Sequence, residues 1–253
     1  HISLESGLLR SLTTFDLIFM GIGAIIGAGV FVLAGIAAAT KAGPAVVYAY
    51  ALAGLASMFA ALAYAELAAS IGGTGSAYGY AYAGFGEVIA WIIGWNLLLE
   101  YVMSVATVAI GWSGYVNNML EAVHIHLPIE ITKNPFEGGY INLLGVGIIL
   151  TLMTLLCLGV KNSARFNTFI VFIKLITIFT FIVVASQHVN MSHWDNFMPF
   201  GWMGVMQGAA MVFFAYIGFD ALSTATEEAI NPERSIPIGI IVSLIFCTLI
   251  YII

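Results

Sequence analysis

Residues 21 to 31, Gly21-Ile22-Gly23-Ala24-Ile25-Ile26-Gly27-Ala28-Gly29-Val30-Phe31, put four glycines at odd-numbered positions within nine residues. They lie inside an apolar segment, Phe15 to Ala39, longer than the about 20 apolar residues a helix needs to cross a bilayer. Each interior glycine costs a helix roughly 1 kcal/mol relative to alanine, so a span that only had to cross would do better without them. Two explanations stand side by side. Gly23 and Gly27 form a G-x-x-x-G, which lets two helices pack closely. Alternatively the helix breaks between Ile25 and Gly29, and its second half starts near Gly27. Free N–H groups and a positive dipole end would then meet a carboxylate.

Span six carries a second anomaly, Phe213-Phe214-Ala215-Tyr216-Ile217-Gly218-Phe219-Asp220-Ala221-Leu222-Ser223. Asp220 falls mid-span, where an aspartate costs about 3 kcal/mol even on the lenient insertion scale. Unwinding from Ala215 to Phe219 would free carbonyls able to accept hydrogen bonds from an ammonium group. One break offers N–H groups and the other C=O groups, which suits a molecule bearing both a carboxylate and an amine. Asp220 could also cap the second half of this helix.

Two further ionisable groups lie inside apolar segments. Lys174 is ten residues beyond Ala164 in span five, roughly 15 Å along a helix, too deep for easy snorkelling. Its ammonium must pair, line water or lose its proton, which makes it a candidate proton carrier or one half of a structural pair. Glu100, in span three, suits an ion-pair, coupling or cavity position equally. Glu227 and Glu228 read as solvated or paired with Arg234.

The elements that would hold these groups follow from composition. The chain is 61% hydrophobic and 8% charged, with mean hydropathy +1.03, against about 25% charged residues in soluble domains. An all-α polytopic membrane protein is expected. The net charge of −6 comes without a basic run, so no nucleic acid is expected. Cys157 and Cys247 sit singly in apolar segments and read as small core residues. His124-x-His126 lacks further ligands, so no metal is expected. The residues before Phe15 do not read as a cleavable signal peptide.

The spans expected are Phe15 to Thr40, Ala45 to Ser70, Gly86 to Leu120, Tyr140 to Val160, Phe166 to Ser186, Trp202 to Ala229, and one from Ile236 onward. Lys161 to Arg165 reads as a tight basic turn, and Tyr78, Tyr80 and Tyr82 as part of a short re-entrant or interfacial segment. Gly72 to Ser76 lacks the strand and the Gly-Lys-Ser/Thr of a phosphate loop. With the N-terminus inside, Arg10, Lys161, Arg165 and Arg234 share the cytoplasmic face, and Lys41 and Lys133 lie outside. That bias counts against a seven-helix receptor, whose N-terminus would face outward. The breaks open the first span of one five-helix set and the first of a second set, so the second copy would be inverted.

Gly23 to Phe31 and Phe213 to Asp220 resemble the amino acid–polyamine–organocation transporters. Tyr64-Ala65-Glu66-Leu67, Gly72-Gly73-x-Gly75-Ser76-Ala77-Tyr78 and Trp95-Asn96-Leu97-Leu98-Leu99-Glu100-Tyr101 look most like the cationic amino acid branch, above all its bacterial members. The resemblance implies a leucine-transporter-type fold, two inverted five-helix repeats with the first and sixth helices unwound. It implies a substrate carboxylate at the backbone of Gly27, Ala28 and Gly29. The amine would meet carbonyls near Ile25, Phe214, Ala215 and Ile217, with Phe214 as an aromatic gate. Lys174 matches the lysine that replaces a sodium site in proton-coupled members. Ala28 stands where the family often has serine, so the carboxylate would rest on backbone N–H groups alone.

The expectation is therefore a plasma-membrane (bacterial inner-membrane), multi-pass transporter and not an enzyme, a single transmembrane domain over 1–253 from a longer protein. Residues 1–187 hold the first repeat and 188–253 the start of the second. It would move amino acids, arginine or lysine among them, by proton symport involving Lys174, Glu100 or Asp220, with no cofactor. An amino acid or amine exchanger and a non-transporting sensor are the alternatives. A single-span companion subunit would leave no trace in this sequence.

Overall fold

A computed structural model describes residues 10–71, 73, 76–157, 160–190 and 195–253, with backbone alone at 136 and 160–165. The described residues are almost entirely helical, and no strand is found among them beyond one isolated parallel bridge between Leu12 and Ala229. Their contacts divide the chain into two compact units. The first comprises residues up to Trp95 together with Thr168–Ile253, and the second is Asn96–Asn167.

In the first unit, α1 (Thr14–Ile25) opens on a capping box. The Thr13 hydroxyl accepts from the Asp16 N–H at 3.3 Å, and the Asp16 carboxylate accepts from the Thr13 N–H at 2.9 Å. These bonds satisfy donors that a helix start leaves orphaned. After an interruption the chain is π-helical over Gly29–Leu33, α-helical over α2 (Ala34–Ala37) and π-helical again over Ala38–Ala42. Gly43 then turns it at φ +62°.

The next helix, α3 (Val46–Ser70), buries Ala49, Tyr50, Ala53, Gly54, Ser57, Ala61, Ala65 and Ala68. That stripe of small residues at helical spacing permits close approach of neighbours. Gly54 lies against Thr248 and the Tyr216 hydroxyl, with no room for a larger side chain. A short helix follows, α4 (Ser76–Phe85), in the stretch expected to be re-entrant or interfacial. Its Tyr80 is buried and packs edge-on against Tyr64, whereas Tyr78 and Tyr82 are exposed.

Three more helices matter to the described fold: α5 (Glu87–Ala122), α7 (Leu143–Cys157) and α8 (Val160–Ser186). The short α6 (Ile129–Thr132) lies between the first two. In the second unit Asn142 caps α7, its carbonyl side chain accepting from the Gly145 N–H at 2.8 Å while its amide donates to Ser113 at 2.6 Å. The outward side chains of α5 and α8, such as Trp91, Trp95, Phe169, Phe172 and Phe181, are large and apolar. That would be costly in water and is natural in hydrocarbon.

The sixth and seventh apolar segments supply α9 (Gly201–Val212), 3₁₀ turns over Phe213–Tyr216 and Phe219–Ala225, and α10 (Pro232–Ile252). Leu17, Ile26, Val212, Tyr216, Leu222, Ile240 and Leu244 form part of the core that joins these elements to α1 and α3. Runs long and apolar enough to cross a membrane cover Thr14–Ser70, Glu87–Ala122, Phe166–Ser186, Gly201–Ala225 and Pro232–Ile252. The protein is an all-α, multi-pass membrane protein.

Two expectations need correction. Residues 161–165 are not a tight turn but the first turns of α8, which starts at Val160. None of Lys161, Asn162, Ser163, Ala164 and Arg165 is a glycine or proline that would stop a helix. Cys157 is exposed rather than in the core, and only Cys247 is fully buried. An isolated cysteine in an apolar helix suits a lipid-facing site as well as an interior one. Gly72, Thr74 and Gly75, part of the expected interfacial motif, lie outside the described residues.

Candidate functional site: two interrupted helices

The first interruption follows from the glycines. Regular helix ends at Ile25, Ile26 is extended at φ −73° and ψ 103°, and helical backbone resumes at Ala28. The last carbonyls of α1 therefore have no intrahelical donors of their own. Lys174, from α8, supplies two: its Nζ donates to the Gly23 carbonyl at 3.1 Å and the Ile26 carbonyl at 2.5 Å. An ammonium at a helix C-terminus also meets the negative end of the dipole.

The second interruption is set by Ile217 and Gly218. The helix tightens at Phe213–Tyr216, Ile217 is extended at ψ 136°, and Gly218 sits at φ +117°. That last conformation strains any residue with a Cβ. A Cβ on Gly218 would also approach the Ala24 carbonyl oxygen at 2.9 Å. On the other side, a Cβ on Gly29 would overlap Ala215. The two breaks thus cross in direct contact, and small residues at 24, 29, 215 and 218 allow it.

Three tyrosines complete the junction. The Tyr251 hydroxyl, on α10, lies 3.0 Å from the Ile25 carbonyl and 3.1 Å from the Ala215 carbonyl, so one O–H spans both breaks. Tyr50 donates to the Gly29 carbonyl at 2.8 Å, and Tyr216 to the Tyr50 carbonyl at 2.9 Å. Their rings pack together, with centroids 5.2 Å apart for Tyr50 and Tyr251 and 5.3 Å for Tyr216 and Tyr251. Sequence reasoning missed all three. The available signal was a tyrosine hydroxyl within an apolar span, where it needs a protein partner.

Of the residues singled out from the sequence, Ile25, Gly27, Ala28, Gly29, Phe214, Ala215, Ile217, Asp220 and Lys174 belong to the first unit. Ile25, Gly29 and Ala215 are buried, whereas Gly27, Ala28, Phe214 and Ile217 are half-buried. Asp220 is buried in the first turn of the resumed helix, where an acidic side chain suits the N-terminal dipole. Its backbone carbonyl accepts from the Ser223 hydroxyl at 2.6 Å. Glu100 is half-buried and belongs to the second unit. Glu227 and Glu228 are half-buried and Arg234 is exposed. No cluster of three potential metal-ligating side chains occurs among the described residues.

The class this fold and site define is a multi-pass helical membrane protein with two interrupted helices packed break to break. The chain belongs to the amino acid permease family, whose model matches residues 12–253, within the amino acid–polyamine–organocation superfamily. It is 46% identical to the methylthioribose transporter of Bacillus subtilis strain 168, over 99% of this chain and 55% of that protein. It is 47% identical to the branched-chain amino acid permease BcaP of the same organism, over 98% of this chain and 54% of that protein. Cationic amino acid transporter 4 of Homo sapiens is 40% identical over 96% of this chain and 39% of its own length. The chain thus spans about half the length of the two Bacillus relatives.

Proposed function

We propose that the full-length protein is a secondary active transporter of amino acids that works by alternating access in the plasma membrane, with its N-terminus cytoplasmic. The observation that carries this is the crossing of the two breaks at Gly29 and Ala215. The helix resuming at Ala28 presents N–H groups of Gly27, Ala28 and Gly29 to a carboxylate. Such groups at a helix start have no intrahelical acceptor. The ammonium goes to carbonyls of Phe214 and Ile217, and to lone pairs of the Ile25 and Ala215 carbonyls, which share the single O–H of Tyr251. Phe214 closes over the substrate. The inverted five-helix repeat, broken in its first and sixth helices, is the architecture this assignment uses.

Proton symport is the coupling we propose, with Lys174 as carrier. While protonated it ties Gly23 and Ile26 together. Losing the proton removes the charge from those bonds and loosens the end of α1. Asp220 and Glu100 are the next candidates. Arginine and lysine are the substrates suggested by the likeness to the cationic branch. The higher identity to BcaP, 47% against 40%, favours branched-chain amino acids as a second reading.

The test is uptake by the full-length protein in proteoliposomes, with and without an inward proton gradient, using arginine, lysine, leucine, isoleucine and methylthioribose. Accumulation of an amino acid that follows the gradient supports the proposal. Exchange of internal for external amino acid without gradient-driven accumulation would make the protein an exchanger. Binding without any flux would make it a sensor.

A further inference from the structure

Tyr50, Tyr216 and Tyr251 each bring a buried hydroxyl to a backbone carbonyl. A fourth tyrosine, equally buried, does not. Tyr80 of α4 is 7% exposed, against 8% for Tyr251, and among the described residues its hydroxyl has no hydrogen-bond partner. The same holds for Ser76, 2% exposed and four residues earlier on the same face of α4. Buried polar groups are as a rule paired with protein or with ordered water. A tyrosine hydroxyl lies too far out to bond back to its own helix. Ser76 opens α4, so no carbonyl of its own helix lies four residues behind it. Ser57, buried and also unpartnered in the middle of α3, does have that option.

The packing around Tyr80 says what its hydroxyl meets. Its ring lies edge-on to Tyr64, and Tyr64 lies edge-on to Phe219, with centroids 5.9 Å and 5.6 Å apart. This places α4 against the start of Phe219–Ala225. The Tyr80 hydroxyl comes up beside that of Ser223, which is fully buried, yet forms no well-aligned bond to it. Ser223 already donates its proton to the Asp220 carbonyl at 2.6 Å, so its oxygen offers lone pairs alone. A group joining these hydroxyls must accept from Tyr80 and Ser76 and donate to Ser223. A metal cation would meet only their lone pairs and leave the protons of Tyr80 and Ser76 unpaired. Water both accepts and donates, and a buried water makes about three hydrogen bonds to otherwise unsatisfied groups.

We propose that a bound water joins α4 to Phe219–Ala225, accepting from the Tyr80 and Ser76 hydroxyls and donating to Ser223 Oγ. The site lies next to the backbone of Asp220, through Ser223. Its residues are distinct from those at the crossing of the two breaks. It stands whether or not the protein transports amino acids.

The test is radiolytic hydroxyl-radical footprinting of the full-length wild-type protein, read by mass spectrometry. Radicals made from a bound water oxidise the side chain beside it, even where bulk solvent does not reach. Tyr251 is the matched reference, because its exposure is similar and its hydroxyl is held by protein carbonyls. The site predicts that Tyr80 is oxidised several-fold faster than Tyr251. Equal rates, or a slower Tyr80, overturn it. Tyr80→Phe gives a second reading in thermal unfolding. Removing a hydroxyl that water satisfies leaves its partners short and lowers the melting temperature. Removing a dry, unpaired hydroxyl raises it, and that result also overturns the site. A lowered melting temperature with Tyr80 unlabelled would mean that Tyr80 bonds Ser223 directly, with no water between. Should Tyr80→Phe fail to fold, the wild-type footprint decides alone.

Discussion

Replacing Lys174 with methionine separates the two roles assigned to this residue. The stem and much of its volume are kept, while both hydrogen bonds to Gly23 and Ile26 are removed. A hydrogen bond to a charged group contributes about 1.5–3 kcal/mol, so the pair contributes roughly 3–6 kcal/mol. Lys174 is part-buried, and water reaching the site would recover some of this. The expected destabilisation is about 3 kcal/mol, at the low end. Lys174→Arg is the companion variant, since a guanidinium can donate to both carbonyls yet does not give up its proton. The assays are thermal unfolding of the purified full-length protein in detergent and uptake in proteoliposomes. Lys174→Met should melt well below wild type. Lys174→Arg should melt near wild type, retain exchange and lose gradient-driven accumulation. A methionine variant as stable as wild type would refute the claim that Lys174 holds the end of α1. Gradient-driven accumulation by the arginine variant would refute its role as proton carrier.

Three other substitutions probe the junction. Gly218→Ala must adopt φ +117° beside the Ala24 carbonyl; a cost of about 1–3 kcal/mol is expected, read as lost monodisperse protein in fluorescence-detected size exclusion. Tyr251→Phe keeps the ring packing and removes the hydroxyl shared by Ile25 and Ala215. A cost of about 1–2 kcal/mol in the melting experiment is expected. Thr13→Ala breaks the capping box and should cost about 1 kcal/mol, seen as faster amide exchange in the first turn of α1 with little change elsewhere.

Much of this arrangement is legible in the sequence, because membrane helices make their exceptions conspicuous. A lipid-buried span has no reason to carry Gly21, Gly23, Gly27 and Gly29, or Asp220 beside Gly218, so those stretches announced themselves. Lys174 stands out for the same reason, and in the structure it meets two backbone carbonyls, those of Gly23 and Ile26. The Gly23–Gly27 spacing suggests a helix-packing motif, and close approaches of this kind are found at Gly21, Gly29, Gly54, Gly218 and Gly239. Spacing along one helix does not say which face its neighbours take.

Other features left a weaker mark or none. Tyr50, Tyr216 and Tyr251 look like ordinary large residues in apolar spans, and only their tertiary partners give the hydroxyls a purpose. The bridge at Leu12 pairs residues more than two hundred positions apart through main-chain groups that every sequence possesses. Lys161 to Arg165 looked like a turn because charge usually marks a loop, but charge alone does not end a helix. Asp220 and Glu100 are the sequence's alternatives to Lys174, and the fold places Asp220 in the same unit as the breaks and Glu100 in the other.

The central claim is that an amino acid backbone binds where the two breaks cross, and an experimental structure of the full-length protein with a transported amino acid tests it most directly. The account predicts the carboxylate within hydrogen-bonding distance of the N–H groups of Gly27, Ala28 and Gly29, and the ammonium on carbonyls of Phe214 and Ile217. A substrate bound elsewhere, or bound in the reverse orientation with its ammonium at Gly27 to Gly29, would contradict it.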